Sequence, residues 1–189
     1  MNLETAKSFV NTFPRDLQVH SYNVCNIATG IARYSGYRED QIYILSIGSL
    51  IHDVGKCCID PGIINKPGKL TEKEFELVKQ HTFLGADMIR QYDDSHKYEP
   101  IILYHHERWD GKGYYGLFQE EIPAFAQIVS IADAFDAMTS IRPYQMPKSL
   151  TGALRELSNS RGTQFAPELV DIFEKYILDS LKFKENYIR

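Results

Sequence analysis

No stretch of this chain alternates apolar and polar residues with the period of two that a half-buried strand requires. Apolar positions recur instead at spacings of three and four, as on a helix with one buried face. Leu17, His20, Val24, Ile27 and Ile31 mark one such face, and Ser35-Gly36 is a C-cap signal at its end. Ile42, Leu45, Ser49 and His52 mark a second helix, predicted from about Glu39 to Asp53 with Gly55 as its stop. Thr71 with Glu74 forms a capping box and Leu70 with Phe75 a hydrophobic staple, so a strong helix starts there and carries His81 beside Leu77, Val78 and Leu84. A short helix ends in His105-His106; Pro123 opens another, which carries Asp133 and is broken by Arg142-Pro143. Pro167 lies in the first turn of a last helix with Leu169, Val170, Phe173 and Ile177. The Pro and Gly content of CCIDPGIINKPGKL predicts an irregular segment. The expectation is an all-α compact bundle of about seven to eight helices, a single domain over residues 1–189.

Composition narrows the function classes. A chain of 189 residues can bury one sizeable core. It has no apolar run long enough to span a membrane, and MNLETAKSFV has no basic region followed by an apolar stretch, as a signal peptide would. Three cysteines, Cys25, Cys57 and Cys58, make a poor disulfide framework and suit a reducing cytoplasm. The adjacent pair reads as two small apolar residues packed under a loop. A net charge of −4 argues against coating a nucleic-acid polymer. It leaves room for a small anionic substrate, because bound cations can dominate a local field.

Histidine is concentrated in four islands: His20, His52-Asp53 in HDVGK, His81, and His105-His106 in HHERWDGKGYYG, followed by Asp133 in IADAFDAMTS. Each island alone has an ordinary explanation. His20 and His81 would be satisfied core histidines, His52-Asp53 a helix-end cap, and His105-His106 surface residues. Their joint placement on buried faces and ends of predicted helices favours a ligand, since so many buried polar groups need something to bind. Nitrogen and carboxylate donors suit iron, manganese, zinc, cobalt or nickel. Seven such side chains exceed the needs of one ion and point to two ions sharing a ligand, the arrangement that hydrolyses phosphate esters.

The series HDVGK, IINKPGKLTEKEF, KQHTFLGADMI, HHERWDGKGYYG, IADAFDAMTSIRPY and FAPELV, from about Asp16 to Val170, resembles an HD-GYP domain, a branch of the HD phosphohydrolase superfamily. The resemblance implies an all-helical phosphodiesterase that opens cyclic di-GMP with two or three metal ions, commonly iron or manganese. It implies one ion on His20, His52, Asp53 and Asp133, and a second on Asp53, His81, His105 and His106, with Asp53 as the bridge. Three-metal relatives carry a Glu where this chain has Asp16, four residues before His20, so a third ion is expected only if the shorter side chain reaches. Lys56 is implied as the cation that neutralises the phosphate, against the alternative of a solvated lysine after a helix end. The signature Gly-Tyr-Pro reads Gly113-Tyr114-Tyr115 here. If the N–H of Tyr115 is free, proline should be tolerated at this position; if it is hydrogen-bonded, proline should weaken the loop.

Further substrate contacts are expected from Gly111, Gly113 and Gly116, whose backbone can approach a ligand closely, and from Lys112 and Arg142 on phosphate or guanine. Trp109 and Tyr114 either stack on a base or pack the loop. Glu107 is expected to orient a neighbouring histidine, and Asp136 to support Asp133 or pair with Arg142. Rival readings are an HD phosphohydrolase acting on nucleoside triphosphates, alarmones, cyclic mononucleotides or cyclic GMP-AMP, and a binding module for the nucleotide or a cyclase domain. The HHERWDGKGYYG segment favours a cyclic dinucleotide, and the intact ligand set favours an enzyme. Regulation would then come from metal state, substrate level or a separate sensory or cyclase-domain partner.

Overall fold

The structure is a computed structural model that describes residues 1–141 and 146–187, with side chains through Phe183. Its regular elements are helical: α1 (Leu3–Val10), α2 (Arg15–Tyr34), α3 (Glu39–Ile51), α4 (Pro61–Ile64), α5 (Glu72–Ile89), α6 (Glu99–Tyr104), α7 (Ala124–Thr139), α8 (Leu150–Asn159) and α9 (Pro167–Tyr187). No strand is present among the described residues, and a lone bridge joins Arg161 to Phe165. No described helix is long and apolar enough to cross a membrane.

Two apolar cores organise the bundle. The larger gathers Val24, Ile31, Leu45, Ile128, Ile131, Leu157 and Phe173 from α2, α3, α7, α8 and α9. The smaller gathers Val10, Ile47, Leu50, Ile89 and Ile102 from α1, α3, α5 and α6. Helix α3 feeds both, with Leu45 in one and Ile47 in the other, as expected for a helix apolar nearly all round. Helix α6 does the same through Ile101 and Ile102. The C-terminal ends of these two shared helices carry His52 and His105.

Several sequence expectations hold. Thr71 accepts from the N–H of Glu74 and the Glu74 carboxylate accepts from the N–H of Thr71, at 3.3 and 2.7 Å, closing the capping box. Pro123 is the N-cap of α7 and Pro167 opens α9. Others need correction. The segment read as irregular, from Cys57 on, begins in the end of a 3-10 turn (Val54–Cys58) and contains the one-turn helix α4, whose N-cap Asp60 accepts from the N–H of Gly62. Helix α3 stops at Ile51, and Gly55 lies beyond it inside the 3-10 turn. A Cβ at Gly55 would lie 2.0 Å from the carbonyl oxygen of His81 and 2.5 Å from the nitrogen of Gly85. The glycine is there for close approach, letting the His52-Asp53 turn lie directly on α5 at His81. Cys57 and Cys58 are exposed and not packed under a loop.

Candidate metal centre

Five elements deliver the expected donors to one place: α2 brings His20, the end of α3 brings His52 and Asp53, α5 brings His81, the end of α6 brings His105 and His106, and α7 brings Asp133. Their donor atoms fall into two groups, Asp53, His81, His105 and His106 in one and His20, His52 and Asp133 in the other. Asp53 faces both. Its Oδ1 lies 3.3 Å from His81 Nε2 and 3.8 Å from His105 Nε2. Its Oδ2 lies 3.5 Å from His52 Nε2 and 3.7 Å from His20 Nε2.

The tautomers are set from outside the cluster. The Nδ1 atoms of His52, His81 and His105 lie 2.7, 2.6 and 2.9 Å from the carbonyl oxygens of Ser49, Val78 and Ile102, each three residues earlier. A carbonyl only accepts, so each Nδ1 carries the proton and each Nε2 turns a lone pair inward. His20 is held differently: its Nδ1 lies 2.7 Å from Asp136 Oδ2, and Asp136 also accepts from Asn23 at 2.8 Å and from the Ser140 hydroxyl at 2.6 Å. Asp136 thus positions His20, a role the sequence reading gave it toward Asp133 or Arg142. Arg142 lies outside the described residues.

Electrostatics suit cations. Burial pushes the pKa of His52 down, and burial reinforced by neighbouring histidines pushes that of His105 well down; burial takes His106 to about 4. All three are neutral imidazoles at neutral pH. Burial opposes ionisation of Asp53 and Asp133, yet Lys56 and His52 beside Asp53, and His20 beside Asp133, hold both carboxyls below the usual range. Burial also opposes charge on His20, but Asp133 and Asp136 outweigh it and raise its pKa to about 9. A cation entering this group therefore displaces a proton from His20 below that pH. His52 Nε2 and Asp53 Oδ1 are buried without a hydrogen-bond partner. Orphaned buried groups of this kind need a partner, and the converging donors fit a metal ion.

The remaining expected residues divide. Lys56 Nζ lies 2.5 Å from Asp53 Oδ2, beside the cluster. Tyr114 sits against it, its ring 4.8 Å from that of His106. Trp109 instead lines a small internal cavity with Ile122, Gln164 and Phe165, so it packs the loop. Lys112 is exposed. Asp16 is exposed on α2 and belongs to neither donor group. Gly111 and Gly116 adopt φ of 72° and 80°, left-handed turns that glycine allows. Gly113 makes room for Glu107, whose Cα would lie 2.5 Å from a Cβ there.

Glu107 was expected to orient a histidine; it grips the loop instead. Its buried carboxylate accepts from the N–H of Tyr115 at 2.6 Å and of Leu117 at 2.7 Å. The Tyr115 hydroxyl lies 2.8 Å from that of Thr82, and its ring meets Tyr104 edge-on. Tyr115→Pro removes the bond to Glu107 and should cost about 2 kcal/mol, the scale of a hydrogen bond to a charged group. The expected result is a melting temperature lower by roughly 4–8 °C with metal content unchanged. Asp136→Ala should weaken manganous-ion binding about 10–100-fold, the usual cost of losing the partner that orients a ligand, while the circular dichroism stays helical.

Residues 5–169 match a family model described as HD domain. The chain belongs to the HD domain family. It is 40% identical over 87% of its length to a cyclic di-GMP phosphodiesterase of Thermotoga maritima, covering 47% of that protein. It is 38% identical over 77% of its length to the cyclic di-GMP phosphodiesterase response regulator RpfG of Xanthomonas campestris, covering 39% of it. The chain thus spans less than half the length of these relatives. Among solved structures, a cyclic GMP-AMP specific phosphodiesterase of V. cholerae superposes with a TM-score of 0.65 at 22% identity, over 92% of this chain and 46% of that one. That likeness establishes the shared helical fold.

Proposed function

We propose that this HD domain, of the HD-GYP branch, hydrolyses cyclic di-GMP to linear pGpG, and onward to GMP, at a centre of two divalent ions. The observation that carries the reading is the Asp53 carboxylate, whose two oxygens face two separate histidine groups. His20, His52, Asp53 and Asp133 would hold one ion, and Asp53, His81, His105 and His106 the other. Iron or manganese is the proposed metal, with zinc, cobalt and nickel compatible with the donors. The proposal is for two ions, because Asp16 joins neither group. Such ions supply an acidified water and positive charge for a phosphate in line for displacement.

The protein's own residues do the rest. The carbonyls of Ser49, Val78 and Ile102 and the Asp136 carboxylate lock the imidazoles in their ligand tautomers. Lys56 places a cation beside the shared carboxylate, where the anionic phosphate must come. The Glu107-anchored loop sets Tyr114 against His106 and shields one side of the centre. Because the relatives are longer, control by a sensory or cyclase-domain partner, and action in the cytoplasm, belong to the same proposal.

The test is anaerobic incubation of the ferrous- and manganous-loaded protein with cyclic di-GMP and cyclic GMP-AMP, followed by chromatography. Linear pGpG is the expected product. No linear product from either nucleotide with either ion would overturn the reading, and turnover of cyclic GMP-AMP alone would move it to that substrate.

A further inference from the structure

Beside the centre lies a cleft that the ligand set does not use. It encloses about 290 Å³ between the segment after the 3-10 turn and the first turns of α5, lined by Lys56, Ile63, Ile64, Lys66, Leu70 and Val78. Lys56 is shared: its ammonium touches Asp53 and its side chain also forms one wall of the cleft. Val78 ties the cleft to the centre a second time, since its carbonyl fixes His81 Nδ1. A ligand whose phosphate meets Lys56 at the centre has this opening directly beside it.

The lining defines that group. Four aliphatic side chains, Ile63, Ile64, Leu70 and Val78, give apolar walls suited to the faces of a flat ring. The volume is just under the roughly 300–1,000 Å³ of sites that enclose a whole drug-sized ligand, so it suits one part of a dinucleotide. Lys66 is the other cation of the lining. Its Nζ is held by both oxygens of Glu74, at 2.8 and 2.7 Å, and that carboxylate is in turn fixed by the N–H and hydroxyl of Thr71. The ammonium is thus a donor in a set position and cannot accept. Guanine offers two acceptors, O6 and N7, along one edge, where adenine pairs an acceptor with an N6 donor that would face the lysine.

We propose that this cleft is the base subsite of the substrate, and that Lys66 makes it select guanine over adenine by turning its remaining N–H, the two others being held by Glu74, to the O6/N7 edge. The proposal rests on the cyclic dinucleotide reading above. It assigns to the IINKPGKL segment a specificity role separate from the metal ligands. One guanine is enough to fill the subsite, so cyclic di-GMP and cyclic GMP-AMP both satisfy it and cyclic di-AMP does not.

The experiment is calorimetric titration of the manganous-loaded wild-type, Lys66→Met and Ile63→Trp proteins with cyclic di-GMP and cyclic di-AMP, at low temperature. Wild type should bind cyclic di-GMP about tenfold or more tighter than cyclic di-AMP, the scale of one good lysine–guanine contact. Lys66→Met should cut that ratio to about twofold or less. The ratio is the informative quantity, because loss of a positive charge weakens both dianions alike. Ile63→Trp fills the cleft and should weaken both ligands about tenfold with metal content and helicity unchanged. If wild type binds cyclic di-GMP but Lys66→Met keeps the full ratio, or Ile63→Trp binds as wild type does, the base lies elsewhere and this proposal fails while the phosphodiesterase reading stands. If wild type binds neither nucleotide, both fail.

Discussion

Asp53→Asn should abolish hydrolysis of cyclic di-GMP and reduce the metal content by at least one ion per chain. Asp53 faces both histidine groups, with Oδ1 toward His81 and His105 and Oδ2 toward His52 and His20. An amide keeps the size but offers one neutral oxygen and turns an NH2 donor toward one group. The Nε2 lone pairs on that side cannot use it while they bind a cation. Removing an essential member of a catalytic unit costs several orders of magnitude in rate, so activity should fall below detection. The apolar cores do not include Asp53, and the variant should remain helical. Elemental analysis beside the rate measurement decides the matter. Normal turnover with a full complement of metal in Asp53→Asn would refute the shared-ligand centre.

The second large effect is expected at Lys56. Lys56→Ala should keep its metal ions and lose about two orders of magnitude or more in kcat, the scale of one removed electrostatic stabiliser. The ammonium has no lone pair with which to ligate, so its removal takes no bond from an ion. It does take away the cation that touches Asp53 Oδ2 and lines the neighbouring cleft. A contact made more strongly in the transition state lowers kcat and kcat/KM together. The measurement is steady-state kinetics paired with metal analysis of the same preparation. A collapse in metal content would make Lys56 a structural support of the centre, and a rate near wild type would leave it without a catalytic part.

Much of the fold is legible in the chain because helix signals are local. Capping boxes, prolines at helix starts and three- and four-residue spacing each act within a turn or two, and they place α2, α3, α5, α7 and α9 close to where they lie. Helix α1 has a pattern too short to mark it: Ala6 and Val10 are its buried residues, four apart, and apart from the Asn2 N-cap, which accepts from the N–H of Thr5, it depends on what it packs against. The turn at Val54–Cys58 lies where Gly55 meets His81 and Gly85 on α5, and the one-turn α4, within the Pro- and Gly-rich segment, is started by Asp60 and packs against α5 as well.

The site divides along the same line. Side-chain chemistry picked out the candidate donors, because imidazole and carboxylate in this number suit a metal pair, and it marked Lys56 as a cation that cannot ligate. Sequence alone could not assign the partners of Asp136 and Glu107. Both are buried carboxylates, and what such a group accepts depends on which N–H the chain brings to it from far away. Asp136 receives His20 from 116 residues off, and Glu107 receives the N–H of Tyr115 by the path of a glycine-bearing loop. Helical spacing put Asp16 on the face of His20, but distance along the axis left it in solvent, outside both groups. A helix period gives the direction in which a side chain points; only the packing of α2, α3, α5, α6 and α7 about one point determines how near it comes, and so which oxygen of Asp53 each histidine meets.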